Sequence, residues 1–411
     1  METEKEYEKV IIVGLERQHQ EEAFQYSMDE LEQLVENAGG KVVARLSQKR
    51  EHKDSRTVIG KGKVTELKHL AEELEAQTVV FNQELSPSNV RNLQEEVETK
   101  VIDRIQVILD IFALRAQSKE GRLQVQLAQL SYILPRLAGQ GVNMSRLGAG
   151  IGTRGPGETK LETDRRHIQR QMSDIRNELK KIESHRERSR EQRKQSNVFQ
   201  LGLIGYTNAG KSTLLNQLTE AATYEKDQLF ATLDPLTRQF DMPSGMQVTI
   251  TDTVGFIQDL PTQLIESFKS TLEESRDVDM LLHVVDASAE NIQAHEQTVL
   301  SLLKELDMGD IPVLTIYNKK DLLDMPFKGS LYPSILISAR DEDDMDSLRE
   351  KLEEEMRKLM VPYQLQIPGH RGDRLAELRK YTILDRQLYD EENQLYFVEG
   401  YAKANSKWAK E

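Results

Sequence analysis

The sequence predicts an α/β chain of several units built on parallel sheets, and three observations carry that prediction. An apolar run, Val198–Ile204, leads into Gly205-Tyr206-Thr207-Asn208-Ala209-Gly210-Lys211-Ser212 and then into the helical pattern Thr213–Leu218. Residues 1–104 alternate short apolar runs with amphipathic stretches, the pattern of a small parallel sheet covered by helices. Beyond them, two long helical patterns flank a glycine-rich stretch, which predicts an antiparallel helical hairpin.

The first observation is also the most specific. Residues 205–212 fit the phosphate-loop pattern G-x-x-x-x-G-K-[ST] without a mismatch, in the strand–loop–helix context the pattern needs. The backbone N–H groups from Gly205 to Thr213 curl around phosphates at a helix N-terminus. Lys211 reaches the outer phosphates, and Ser212 offers a hydroxyl to Mg²⁺. Alone, the pattern specifies only a nucleoside triphosphate.

Asn318-Lys319-Lys320-Asp321 names the base. It follows the apolar run Ile311–Tyr317, so Asn318 and Asp321 stand at the carboxyl end of a strand, where open α/β sheets bind ligands. The Asp321 carboxylate can accept from N1–H and the exocyclic amine of guanine, whereas adenine would leave it unpaired. The stem of Lys319 can cover the flat face of the base. Two further strands end in chemistry. Gln247–Thr251 leads to Asp252-Thr253-Val254-Gly255, where Asp252 would hold Mg²⁺ through a water and the Gly255 N–H can bond the terminal phosphate. Ser334–Ile337 leads to Ser338-Ala339-Arg340, placed for backbone contact with the guanine oxygen.

The set resembles the GTPase superfamily of P-loop proteins, from about Gln195 to Val361, with switch regions at roughly 221–240 and 252–275. Phe230-Ala231-Thr232 looks like the first switch, with Thr232 as the residue to bind Mg²⁺ beside GTP and Thr237 as the fallback. Lys211, Thr232 and Gly255 are therefore assigned to catalysis. Phe256 stands where many GTPases carry the Gln that orients the attacking water, and a phenyl ring cannot do so. Slow hydrolysis by the isolated chain follows, with a partner or another switch residue completing the site. Asn208 has two readings. In some GTPases an Asn here helps hold K⁺ against the phosphates; alternatively it caps the turn.

Length and composition set the bounds. The chain has 411 residues, 38% hydrophobic and 30% charged, enough for several cores in a helix-rich protein. With no cysteines, disulfides, zinc–thiolate sites and thiol catalysis are excluded. The N-terminus lacks an apolar signal core, and no run approaches the ~18 apolar residues of a membrane span. A cytoplasmic monomer is expected, with peripheral membrane association left open.

The net charge of −14 is unevenly spread. Residues 135–197 hold 15 Lys and Arg against 8 Asp and Glu, and Pro135–Gly157 contains Arg136, Arg146 and Arg154 but no acid. Such asymmetry is an electrostatic footprint for nucleic acid. Arg104 to about Leu134 reads as one apolar-periodic helix, kinked at Gly121 and ended near Pro135. Glu158–Gln195 reads as a second, highly charged helix, and each is expected to extend roughly 50 Å. Between them, residues 138–157 hold seven glycines, making a flexible basic tip.

At the tip the resemblance becomes specific. Gly148-x-Gly150-Ile151-Gly152-Thr153-Arg154-Gly155-Pro156-Gly157-Glu158-Thr159, followed by Leu161-Glu162-x-Asp164-Arg165-Arg166, is similar to the signature of the HflX family of ribosome-associated GTPases. Asp103-Arg104, Ile111-Phe112-Ala113, Gln124-Val125 and Gly60-Lys61-Gly62-Lys63 agree with it. Ala149 and Lys160 depart from the usual Gly and Gln. The resemblance, covering residues 10–361, implies binding to the 50S ribosomal subunit and its rRNA near the peptidyl-transferase centre, through the tip at 139–157. It further implies GTP-dependent splitting of stalled, idle or hibernating 70S ribosomes. ATP use and rRNA remodelling by some members have no Walker loop to support them in residues 1–104. The rival from another class is a GTP-regulated protein acting on a protein partner.

Four units are expected: an α/β domain at 1–104, the hairpin at 105–195, the P-loop GTPase domain at 196–361, and a small α+β unit at 362–411. In the last, Tyr363–Ile367 and Leu395–Val398 read as strands, Gly372–Tyr381 as a helix, and Trp408 as a packing residue.

Overall fold

The computed structural model describes all residues except 1–6, 19–20, 138–155, 195–196, 220–229, 231–235, 253–254, 257–275 and 410–411, and leaves aside the side chains of 156–161 and 185–194. The described chain falls into two compact units, one built from residues up to Lys181 and one from Ile182 onward.

The first unit opens on four parallel strands, β1 (Glu8–Glu16), β2 (Gly40–Lys49), β3 (Thr78–Phe81) and β4 (Lys100–Asp103), in the order β2-β1-β3-β4. Burial on both faces explains why the strands read as unbroken apolar runs: Ile11, Ile12 and Val13 are wholly inaccessible. Helices α1 (Glu21–Asn37), α2 (Lys61–Leu74) and α3 (Pro87–Val97) make the crossovers. Ser86 caps α3 in a capping box with Asn89, and Pro87 fits the first turn, where its missing N–H costs nothing.

The expected single helix after β4 is two. Helix α4 (Arg104–Arg115) stops at Ala116, whose ψ of 111° is extended, and α5 (Lys119–Leu137) restarts with the Ser118 hydroxyl accepting from the Gly121 N–H at 2.8 Å. The break is a capped restart, and Gly121 lies in the first turn of the new helix. Pro135 is not the stop either; it lies inside α5. Helix α6 (Pro156–Lys194) runs unbroken for 39 residues, ~58 Å at 1.5 Å per residue, while α5 reaches only half of that. The two pack antiparallel through Leu127, Met172 and Ile175, with Leu123, Leu130, Leu134, Ile168 and Leu179 alongside. Lys119 pairs with Glu178 at 2.9 Å at one end of the seam. The hairpin expectation holds with one arm shortened.

The second unit carries a six-stranded sheet. Its strands are β5 (Phe199–Gly205), β6 (Leu236–Asp241), β7 (Gln247–Asp252), β8 (Met280–Asp286), β9 (Val313–Asn318) and β10 (Ser334–Leu336), in the order β10-β9-β8-β5-β7-β6. All neighbours are parallel except the edge pair β6–β7. Helices α7 (Lys211–Thr219), α8 (Ile292–Glu305) and α9 (Glu342–Leu359) accompany the sheet. Asp341 caps α9, whose first turn is acidic and whose last is basic, matching its dipole. Residues 236–240, assigned from sequence to the first switch, belong instead to β6. The hydroxyl of the fallback Thr237 lies 2.9 Å from that of Thr251, across the β6–β7 ladder.

The chain closes with an antiparallel sheet, β11 (Val361–Pro368), β13 (Leu395–Ala402) and β12 (Ile383–Asp390), plus α10 (Gly372–Tyr381). Trp408 is buried among Tyr363, Ile367, Leu375, Leu378 and Val398, as a packing residue should be. Ile383 and Tyr401 pack into the core under the larger sheet, and Lys403 pairs with Asp279 at 2.7 Å. Strand β12 had no sequence signal, because its later residues alternate weakly and are half exposed.

Candidate functional site

The sheet order brings the chemistry-bearing segments to one edge. The phosphate loop follows β5, Asp252 ends β7, Asp286 ends β8, Asn318 ends β9 and Ser338 follows β10, all at the carboxyl ends of neighbouring strands. Residues separated by up to 133 positions are thus collected by strand pairing alone.

Glycine is required twice in the loop. A Cβ on Gly205 would lie 2.2 Å from the Val284 carbonyl oxygen, and one on Gly210 (φ +94°) would lie 2.2 Å from Nδ2 of Asn318. Asn208 adopts φ +60°, a left-handed conformation that Asn tolerates better than most residues, and its side chain is exposed. Lys211 is buried, and its ammonium donates to the carbonyls of Gly205 (3.0 Å) and Tyr206 (2.8 Å). Ser212 and Thr213 follow in the first turn of α7, half-buried.

The segment after β7 is fastened to this loop. The Thr207 N–H donates to the Phe256 carbonyl at 2.6 Å, and the Phe256 N–H to the Gly205 carbonyl at 3.1 Å. A Cβ on Gly255 would stand 3.0 Å from the Thr207 methyl and 3.1 Å from the Lys211 ammonium, so this backbone lies tight against the loop. The Phe256 ring is buried. Asp252 is also buried, and its charge favours the protonated form of Lys211.

On the other side, Asn318 ties two loops together. Its Nδ2 donates to the Ala209 carbonyl at 3.0 Å, and its Oδ1 accepts from the Ala339 N–H at 2.9 Å. Asp321 is exposed and accepts from the Ser338 hydroxyl at 2.6 Å. Ser338 in turn has its N–H on Asp344, and the exposed Arg340 donates its N–H toward the Ser338 hydroxyl. Lys319 adopts φ +65° and pairs with Asp286 at 2.7 Å.

Burial sets the electrostatics. It pushes Lys211 down to about 8, against the pull of Asp252. It pushes His283, in the middle of β8, down to about 4, with the Lys211 charge acting in the same direction. His295 is lowered by burial, opposed by Asp286, and its ring stacks on Tyr206 with centroids 3.9 Å apart. The Tyr317 hydroxyl donates to Glu296 at 2.6 Å and accepts from the N–H groups of Ser330 and Leu331.

Gly205 to Thr213, Asp252, Gly255, Asn318, Lys319, Asp321 and Ser338 to Arg340 are therefore gathered on one edge. Phe230 is described as a buried residue with φ +55°. Ala231, Thr232, Thr253 and Val254 lie outside the described residues, as do 139–155 of the tip. Asp286, His283, His295 and Tyr317 went unnoticed in the sequence. Asp286 alone left a signal there, as a lone acid closing an apolar strand.

The donor set fits Mg²⁺. Ser212 and Asp252 supply hard oxygens of the kind Mg²⁺ takes alongside phosphates and waters. Among the described residues no group of three or more His, Cys, Asp or Glu forms an all-protein metal cage. Nor, among them, is any helix long and apolar enough to cross a membrane.

Three family models match the chain in succession. Residues 25–113 match the family model described as GTP-binding GTPase N-terminal, residues 115–193 GTP-binding GTPase Middle Region, and residues 200–319 50S ribosome-binding GTPase. The GTPase HflX of Alkalihalophilus pseudofirmus is 53% identical over 404 residues, covering 98% of this chain and 96% of its own. That of Escherichia coli K12 is 43% identical over 297 residues, covering 72% and 70%. A solved SsGBP–GDP complex aligns with a TM-score of 0.49 at 25% identity, over 84% of this chain and 98% of that one.

Proposed function

We infer that this chain, a GTP hydrolase that belongs to the HflX GTPase family, is a switch whose GTP-bound form docks on the 50S subunit and splits stalled, idle or hibernating ribosomes. The observation that carries this reading is Phe256. Its ring is buried and its backbone is bonded to the phosphate loop on both sides, so the position offers no polar group to an attacking water. The isolated chain is then a slow hydrolase, and a partner supplies what is missing. The match to a 50S ribosome-binding GTPase model and the acid-free stretch at 135–157 favour the large subunit and its rRNA as that partner, through Arg146 and Arg154, since Arg136 is taken up internally by Asp103.

In this reading Lys211 and the N–H groups of 205–213 hold phosphate, the Gly255 N–H meets the terminal phosphate, and Thr232 joins them in the GTP state. Mg²⁺, when bound, neutralises charge developing on the phosphates, with Ser212, Thr232 and Asp252 as its protein partners. Asp321, set by Ser338, selects guanine, while Asn318 and the 338–340 backbone close the base pocket. Asn208 is a K⁺ ligand or simply the residue that tolerates its left-handed turn; turnover in KCl against NaCl separates the two. A cytoplasmic monomer is part of the proposal.

The test is GTP turnover with and without purified 50S subunits. Stimulation of tenfold or more is expected, on the order of what a completing partner group supplies; an unchanged rate overturns the reading. Deleting 139–157 should abolish co-sedimentation with 50S subunits in a non-hydrolysable GTP analogue. If co-sedimentation survives, the tip is not the docking element, and a protein partner becomes the better account.

A further inference from the structure

We propose that Asp286, locked by Ser288, is a positioning residue for guanine recognition that acts by pinning the side chain of Lys319. The proposal rests on the reading above that the Lys319 stem covers the face of the base.

Both ends of that stem are fixed. At one end the Lys319 backbone is left-handed (φ +65°), an uncommon conformation for a lysine, and opens a 3₁₀ turn over Lys320–Leu322. At the other, its ammonium lies 2.7 Å from Oδ2 of Asp286, in a pair whose side chains are only 24% and 19% exposed. The carboxylate is itself held. Its Oδ1 accepts from the Ser288 N–H at 2.9 Å and the Ser288 hydroxyl at 2.6 Å, so Oδ2 has a set direction. The backbones are fixed too: Asp286 and Asn318 are register partners in the β8–β9 ladder, and the Ala287 N–H donates to the Asn318 carbonyl at 2.9 Å.

A free lysine side chain samples many rotamers and loses that freedom when a ligand lands on it. Here the freedom is removed in advance, so the methylenes present a ready surface for a flat ring. Asp286 need not touch the nucleotide to do this. An ordinary exposed ion pair would contribute almost nothing. This one differs because its acceptor is oriented by two further bonds and its donor begins from a constrained backbone.

The experiment is fluorescent-GDP binding and steady-state GTP hydrolysis on the full chain, in a double-mutant cycle of Asp286→Asn and Lys319→Ala. Asp286→Asn keeps an oxygen for Ser288 and removes the charge pair, so folding, checked by thermal melting, should be retained. It is expected to weaken GDP binding between about twofold and tenfold, the worth of one pre-ordered long side chain. The change should appear in KM, with kcat at saturating GTP unchanged. In the Lys319→Ala background, Asp286→Asn should do nothing more. Ser288→Ala, which only loosens the carboxylate, should give a smaller loss of the same kind. If Asp286→Asn costs the same factor with and without Lys319, Asp286 does not act through the lysine and the proposal is overturned. If Lys319→Ala leaves GDP affinity unchanged, the base-covering role of Lys319 fails instead, and the clamp with it.

Discussion

Gly210 of the phosphate loop and Asn318 at the end of β9 meet with no room for a methyl group between them. A Cβ on Gly210 would sit 2.2 Å from the Asn318 Nδ2, which donates to the Ala209 carbonyl at 3.0 Å. The same amide accepts from Ala339 at 2.9 Å. One side chain thus sets the spacing between the phosphate half and the base half of the site. Gly210→Ala must displace Asn318 and also strain a backbone at φ +94°. Guanine-nucleotide affinity should fall at least tenfold, equal to about 1.4 kcal/mol. Asn318→Ala should do the same without backbone strain. Titration with fluorescent GDP checks both; normal affinity in either variant would show that the two halves are spaced by something else.

Lys211 gives a pH prediction. Its ordinary value of 10.5 is pushed down to about 8 by burial. Below about 8 the ammonium is charged in the folded and unfolded chain alike, and its burial cost is carried in full. As pH rises from about 8 toward 10.5 only the unfolded chain holds that proton, so this group's contribution to stability increases. Nucleotide binding runs the other way, because phosphate oxygens restore the charged form. GDP affinity should therefore decline as pH rises above about 8, by up to tenfold per unit, with proton uptake on binding. Calorimetry in buffers of different ionisation enthalpy measures that uptake directly.

His283 has the opposite range. Buried and neutral, it is pushed down to about 4, so between about 4 and its ordinary 6.5 the unfolded chain takes up a proton that the fold refuses. The stability involved is complete above 6.5 and lost as pH falls through that window. A shift of this size corresponds to roughly 3 kcal/mol at its limit. His283→Gln should flatten the stability profile between pH 4 and 6.5 and change little at pH 7.5. Urea midpoints at both pH values decide; an unchanged acid slope would place the acid lability elsewhere.

These residues also show where sequence reading stops. The phosphate loop, the Asp252 strand end and the 318–321 segment were legible because phosphate and guanine chemistry demand fixed residue types at fixed short spacings. The apolar runs at 10–13, 198–204 and 311–317 announced buried strands for the equally local reason that parallel strands are covered on both faces. The Asn318–Ala209 bond, the Lys319–Asp286 pair and the placement of His283 near Lys211 depend on strand order, which no local pattern encodes. The break at 116–118 was missed because the apolar pattern that stops at Leu114 resumes at Leu123 with no proline between, while the signal that mattered was a single serine cap. Strand β12 stayed hidden because half of it faces solvent.

Asp103 has the most completely buried carboxylate in the first unit, and it gathers three elements. It caps α4 through the Gln106 N–H, accepts from the Leu85 N–H at 3.0 Å, and takes the Tyr132 hydroxyl at 2.8 Å and Arg136 at 3.1 Å. Arg136 also bonds the Leu85 carbonyl at 2.9 Å and lies over the Tyr132 ring. The last turn of α5, just before the glycine-rich segment, is thereby bolted to the carboxyl end of the four-stranded sheet. Removing Arg136 leaves a buried carboxylate without its counter-charge, whereas Tyr132→Phe removes one bond of several. Arg136→Ala should cost about 3 kcal/mol and Tyr132→Phe about 1 kcal/mol. Because both lie in one network, the double variant should cost less than the sum. Denaturant unfolding of the three variants tests this; strict additivity would mean that Tyr132 and Arg136 act on Asp103 independently.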